Sequence, residues 1–253
     1  VIIRKSQVET LDEARLPEFE DAMVVHLREF TPLHSQALGE PGIRGLIRTG
    51  MERAARHGFG RRGPVRFYIE TTVLFGIDFD SDPQYPWFRP LLDDPARPDE
   101  LDRADWVHEV VSAYLDEYAG PERELTKRSL GRARGIPFEA ASRASPDFQD
   151  RLIARASELY PEKAHGVGRA CLERLIARAA EEAAMWDAAT DAGVCLFFGI
   201  MFSVGHGFTH DPKYPWAANT LSHPGYTPEK RVERLYTKTM LYLDHVLEHL
   251  GRS

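Results

Sequence analysis

His206 and His210 stand four residues apart in Gly205-His206-Gly207-Phe208-Thr209-His210-Asp211. On a helix that spacing puts two imidazoles on one face, where zinc or iron can be held, with Asp211 or His223 as a further ligand. The flanking glycines favour a loop instead. Asp78, Asp80 and Asp82 form an alternating acidic triplet of the kind a hard cation takes, but the positions where an EF-hand needs Gly and Glu hold Pro83 and Arg89. His245 and His249, beside Asp244 and Glu248, read as cations at a helix C-terminus, where the dipole favours positive charge. Ser203 lies in Met201-Phe202-Ser203-Val204-Gly205, which lacks the first glycine of a nucleophile elbow. Glu181 and Glu182 read as a solvated helix face. No phosphate-binding loop or dinucleotide fingerprint is present. Cys171 and Cys195 have no C-x-x-C or zinc spacing and read as small core residues of a reducing, cytoplasmic setting. No catalytic residue, cofactor or metal ligand is therefore assigned. A metal-dependent enzyme or sensor at His206 and His210 stays as the alternative reading.

The most informative motif occurs twice. Asp82-Pro83-Gln84-Tyr85-Pro86-Trp87 is answered by Asp211-Pro212-Lys213-Tyr214-Pro215-Trp216, 129 residues on. At that offset 19 of the 72 residues of 17–88 are identical to those of 146–217. The match includes Pro17/Pro146, Phe19/Phe148, Pro32/Pro161, Leu46/Leu175 and Gly76/Gly205. Two prolines forbid helix continuation in each loop. The aspartate can satisfy nearby backbone N–H groups, and the tryptophan can bolt the loop to a bundle. The alternative is a presented aromatic surface, because Tyr and Trp are favoured interface anchors. On that reading Asp82, Tyr85, Trp87, Asp211, Tyr214 and Trp216 bind a partner.

The elements that must position these loops are helices. Phe19, Met23, Leu27 and Phe30 step by helical spacing along one face, and Phe148, Leu152, Ala156 and Leu159 repeat it. The pattern predicts helices over 17–30, 41–57, 63–76 and 98–118, then 146–159, 166–186, 190–205 and 228–250, with a short extra helix at 5–14. No strand signal competes. The expected fold is all-α, a tandem duplication of a four-helix unit packed as a pseudo-twofold bundle. The expected divisions are a first unit at 1–119, a linker at 120–145 rich in Gly and Pro, and a second unit at 146–253. The third helix of each unit is expected to be fully buried.

With 43% hydrophobic and 28% charged residues in 253, the chain is of ordinary globular composition, and its 13 Phe, 9 Tyr and 4 Trp exclude a disordered polymer. A net charge of −7 argues against general affinity for nucleic acid or an anionic membrane. Two basic clusters qualify this: Arg48, Arg53, Arg56, Arg61, Arg62 and Arg66, and Arg123, Lys127, Arg128, Arg132 and Arg134. They read as solvated faces, with an acidic docking partner as the alternative. Val1-Ile2-Ile3-Arg4-Lys5 does not read as a secretory leader. The longest apolar run, Gly193 to Val204 and on to Gly205, is shorter than the roughly 18–20 residues of a membrane span.

Arg4-Lys5-x-Gln7, Phe19-Glu20-Asp21-Ala22-Met23-Val24-Val25-His26-Leu27, Pro32, Gly76-Ile77-Asp78-Phe79-Asp80-Ser81-Asp82-Pro83 and Pro86-Trp87 together resemble a group of small uncharacterised bacterial proteins. Those proteins look like accessory products of type VI secretion or polymorphic-toxin gene clusters. The resemblance covers about residues 1–93 and recurs, diverged, at 146–217, where the acidic Gly-x-Asp-Phe-Asp pattern is missing. It brings no catalytic residues. It implies a partner-handling role, as an adaptor, chaperone or immunity protein for a secreted effector or toxin.

Overall fold

The computed structural model describes residues 16–138 and 147–252. The short helix expected at 5–14 lies outside them. Twelve α-helices and no strand occur among the described residues, so the fold is all-α. In the first half they are α1 (Leu16–Phe30), α2 (Pro32–Arg56), α3 (Arg62–Phe75), α4 (Phe88–Leu92) and α5 (Glu100–Ala119). The second half begins with α6 (Glu124–Arg134), α7 (Phe148–Leu159), α8 (Pro161–Val167) and α9 (Arg169–Met185). It continues with α10 (Asp191–Val204), α11 (Pro215–Leu221) and α12 (Pro228–Arg252).

Backbone geometry recurs at the 129-residue offset. Thr31 and Tyr160, which precede α2 and α8, have φ/ψ of −140/69° and −139/74°. Helical geometry breaks at Gly39 (φ 61°) and at Gly168 (φ 76°). The long α2 is therefore the counterpart of α8 followed by α9. α3 and α10 both end on a glycine, Gly76 with φ 103° and Gly205 with φ 102°. A side chain with a Cβ is strained there, so only glycine turns the chain sharply out of the helix.

The molecule divides into two compact units that do not follow the chain order. Unit 1 runs to Ser81 and adds Trp87–Val111 and Asp211–Lys213. Unit 2 is Asp82–Pro86, Ser112–His210 and Tyr214 onward. Each thus contains a short piece of the proline loop belonging by sequence to the other half. In unit 1, Leu27, Ile43, Leu46, Ile47, Phe59, Tyr68, Ile69, Phe79 and Phe88 are all nearly inaccessible, and Phe79 packs on both Tyr68 and Phe88. α3 is buried on almost every side, as its composition leads one to expect.

Unit 2 gathers Leu172, Leu175, Ala179, Phe197, Met201, Phe208 and Leu235 into its core. Residues 124–134 form α6, which packs against α7 and α12. Arg128 pairs with Glu162, Arg134 with Asp244, and Arg132 donates to the carbonyls of Glu158 and Leu159 at the end of α7. Gly120 and Pro121 stop α5, and the chain re-enters a helix at Glu124, so the helix-breaking residues mark a corner.

A candidate apolar binding site

The repeated loops plug the ends of the buried helices. In unit 1, Asp211 Oδ1 accepts the backbone N–H of Lys213 (2.9 Å) and Oδ2 accepts that of Ile77 (3.1 Å), one residue past Gly76. Lys213 Nζ donates to the carbonyls of Thr72 (3.0 Å) and Val73 (2.8 Å), which close α3. In unit 2, Asp82 Oδ1 accepts from Gln84 N (2.8 Å) and Oδ2 from His206 N (2.8 Å). Gln84 Nε2 donates to the Met201 carbonyl (2.9 Å), and Lys163 Nζ donates to that of Phe202. Orphan carbonyls at a helix C-terminus are thereby satisfied, in three cases by an ammonium that the helix dipole also favours.

These contacts correct the partner-surface reading of the loops. Asp82, Tyr85, Asp211 and Tyr214 are buried and engaged inside the units, because an aspartate that caps a helix end and a ring that fills the core are not offered outward. Tyr85 packs edge-on against Tyr114, and Lys163 Nζ lies over the rings of Tyr85 and Phe202. Trp87 stacks on Phe88 and Trp216 packs on Tyr242, both tryptophans half-buried. Burial pushes the Lys163 ammonium down to about 8, against the raising influence of Asp82.

The other sequence candidates are dispersed. His206 and His210 follow the end of α10 and do not share a helical face. His206 Nδ1 stands 3.3 Å from Asp82, and Thr209 lies beside His210 Nδ1. Among the described residues no group of three His, Cys, Asp or Glu side chains is placed to hold a metal. The acidic triplet is split: Asp78 pairs with Arg53, Asp80 with His57, and Asp82 belongs to unit 2. The first basic cluster is largely neutralised in place, with Arg48 on Glu20, Arg53 on Asp78, Arg61 on Glu100 and Arg66 on Glu70.

His57 sits between two carboxylates, with Nδ1 2.6 Å from Asp93 and Nε2 3.1 Å from Asp80, which also accepts from the Tyr68 hydroxyl (3.0 Å). Both ring nitrogens face acceptors, which suits the imidazolium. Burial opposes that charge, but the two aspartates outweigh it and raise the His57 pKa. A raised folded-state pKa stabilises fully below the unfolded value of about 6.5, and the contribution disappears as pH rises through the folded value. His57→Gln is expected to cost about 1–3 kcal/mol at pH 6 and less at pH 9, as urea unfolding of both proteins at the two pH values will measure. An equal cost at both would show that the ring acts by packing alone.

One feature without an internal explanation is an apolar cavity in unit 2. It has a volume of about 120 Å³ and is walled by Leu196 and Gly199 of α10, Leu152 and Arg155 of α7, Leu243 of α12 and Trp216 of α11. α10 was expected to be fully buried. Instead Cys195 and Leu196 are half-buried, and Gly199 and Ser203 are exposed. The counterparts on α3 are Arg66, Phe67, Glu70 and Leu74. There Glu70 is buried between His26 (2.6 Å) and Arg66 (2.8 Å). Burial opposes ionisation of Glu70, yet the hydrogen bonds from His26 and Arg66 hold its carboxyl below the usual value. Unit 2 has Gly199 in place of Glu70, Cys195 in place of Arg66 and Arg155 in place of His26. Small side chains thus leave open what an ion-pair cluster closes in unit 1.

The polar groups of this cavity are few. Ser203, Thr239 and Tyr236 donate their hydroxyls to the carbonyls of Gly199, Leu235 and Ile136. The Trp216 indole N–H is buried with no acceptor among the described residues. Among the described residues Arg155 has one loose partner, the exposed Glu158 at 3.8 Å. Burial raises the Cys195 thiol against the lowering influence of Arg155 and Arg151, so it is not an activated nucleophile. Neither this cavity nor the lysine caps was found from sequence. The available signal was Gly199 and Ser203 within an otherwise apolar helix. No protein family, curated protein or solved structure matches this chain.

Proposed function

We propose that the chain is a non-enzymatic interaction protein, an adaptor, chaperone or immunity protein for an effector of a bacterial secretion or toxin system. The observation that carries this reading is the cavity along α10. Sites for cofactors and drug-sized ligands run to about 300–1,000 Å³. A cavity of about 120 Å³ takes one ring or one branched chain, as an engineered cavity of roughly 150 Å³ takes benzene. That is the scale of a single anchoring side chain from a protein partner. The motif resemblance of residues 1–93 supplies the bacterial secretion context. The recurrent dihedral angles support taking the two halves as diverged copies of one module.

The test is co-expression with the products of adjacent genes, followed by co-purification and titration. A partner binding at micromolar affinity or tighter is expected, and its loss on filling the cavity. Gly199→Leu is the filling variant, because a Cβ at Gly199 has no neighbour within 4 Å. Replacing a mid-helix glycine should leave the fold intact or stabilise it by about 0.5–1 kcal/mol while weakening the partner at least tenfold. If every adjacent product fails to bind, or binds Gly199→Leu equally well, this role is wrong.

A further inference from the structure

Resting on the reading of unit 2 as a partner-binding site, we propose that its cavity receives the C-terminal residue of the partner protein, with the apolar side chain inside and the terminal carboxylate at Arg155. Two observations converge. The walls are apolar and the volume, about 120 Å³, admits one large apolar side chain. The wall carries a guanidinium, Arg155, 46% exposed at the cavity rim, whose one paired anion among the described residues is an exposed glutamate at 3.8 Å.

An internal segment of a partner brings an apolar side chain but no charge to pair with the guanidinium at the rim. An acidic internal residue brings charge but nothing to fill the cavity. A chain terminus ending in Phe, Leu or Met brings both on one residue. An Arg–carboxylate pair beside a low-dielectric wall is stronger than the same pair in open water, and guanidinium binds carboxylate through paired N–H groups. The contrast with unit 1 fits this assignment. There the corresponding position carries a built-in carboxylate, Glu70, already paired with His26 and Arg66. In unit 2 the carboxylate is missing from the chain and its place is held by Gly199, while Arg155 stands at the position of His26.

The probe is a fluorescein-labelled peptide, Gly-Ser-Gly-Ser-Gly-Phe, titrated by anisotropy into the full chain as the free acid and as the C-terminal amide. The free acid is expected to bind in the micromolar range, the amide at least tenfold more weakly. Arg155→Gln should reduce the difference between acid and amide to within twofold, and Gly199→Leu should abolish binding of both. Added peptide should also slow alkylation of Cys195, with Cys171 as the internal reference. Equal binding of acid and amide to wild type overturns the carboxylate assignment but leaves a partner-binding role standing, provided a co-purifying protein still depends on Gly199. Binding of free 3-phenylpropionate as tight as that of the peptide makes this a small-molecule site and overturns the terminus. No binding of either peptide, with no co-purifying partner, overturns both readings.

Discussion

Lys213→Ala is expected to lower the stability of the protein by about 3–5 kcal/mol, read as a fall in the urea midpoint at unchanged slope. The side chain is 1% exposed and its ammonium does three things. It donates to the Thr72 and Val73 carbonyls, it stands 3.5 Å from the equally buried Asp211 carboxylate, and it meets the negative end of the α3 dipole. Truncation leaves an anion without its nearest cation and a carbonyl at the end of a buried helix without a donor. Either loss alone costs of the order of 1–3 kcal/mol, and an unpaired buried charge costs more.

The other half of the chain supplies the control. Gln84 occupies the corresponding loop position and donates to the Met201 carbonyl without any charge. Lys213→Gln should therefore retain a cap and recover at least half of the stability lost in Lys213→Ala. Asp211→Asn combined with Lys213→Gln should cost less than the sum of the single changes, because the ionic part is then counted once. A midpoint for Lys213→Ala within experimental error of wild type would mean that water replaces the ammonium at no cost, and that the loop is a surface feature.

How far these arrangements are legible in the residues depends on the distance over which they act. Eight main helices follow from apolar spacing, because periodicity is a local signal. The helices that periodicity does not reveal are short or charged. α8 and α11 start on Pro161 and Pro215, and the first turns of α2 start on Pro32. A proline read as a breaker also serves as the first residue of a helix, where its missing N–H has no partner to lose. α6 has few apolar residues and is held by Arg128 and Arg134 to acids far away in sequence, so no local pattern announces it. The loop aspartates are a similar case. Their turn with residue i+2 is readable from Asp-Pro, but the bonds from Asp82 to His206 and from Asp211 to Ile77 span 124 and 134 residues. The cavity is not legible in the apolar run of α10, because an apolar composition does not distinguish a helix buried on all sides from one that borders an open cavity. Comparing α10 with α3 position by position, Gly199 against Glu70, is the sequence operation that points to it.

The buried amine of Lys163 should make the protein more stable in mildly alkaline solution than at neutral pH, against the usual trend. Its pKa is pushed down to about 8 by burial, from 10.5 in the exposed side chain. Below pH 8 both folded and unfolded chains hold the proton, so stability does not vary through this group. Between about 8 and 10.5 the folded chain releases it while the unfolded chain keeps it. The unfolded state then binds more protons, and stability rises with pH. A gap of this size corresponds to about 3 kcal/mol over the full window. The neutral amine still has an N–H for the Phe202 carbonyl, so the cap survives the loss of charge. Above about pH 10 the buried tyrosines act in the opposite direction. Burial raises the hydroxyls of Tyr68, Tyr85 and Tyr114, so an unfolded chain ionises them first and gains from it. The difference between wild type and Lys163→Met cancels the tyrosines, which both proteins share. That difference should move in favour of wild type by about 2–3 kcal/mol between pH 8 and pH 10, measured by urea unfolding. A difference that stays flat across this range would mean that the ammonium is hydrated in the folded protein, and that Lys163 does not close α10 from within the core.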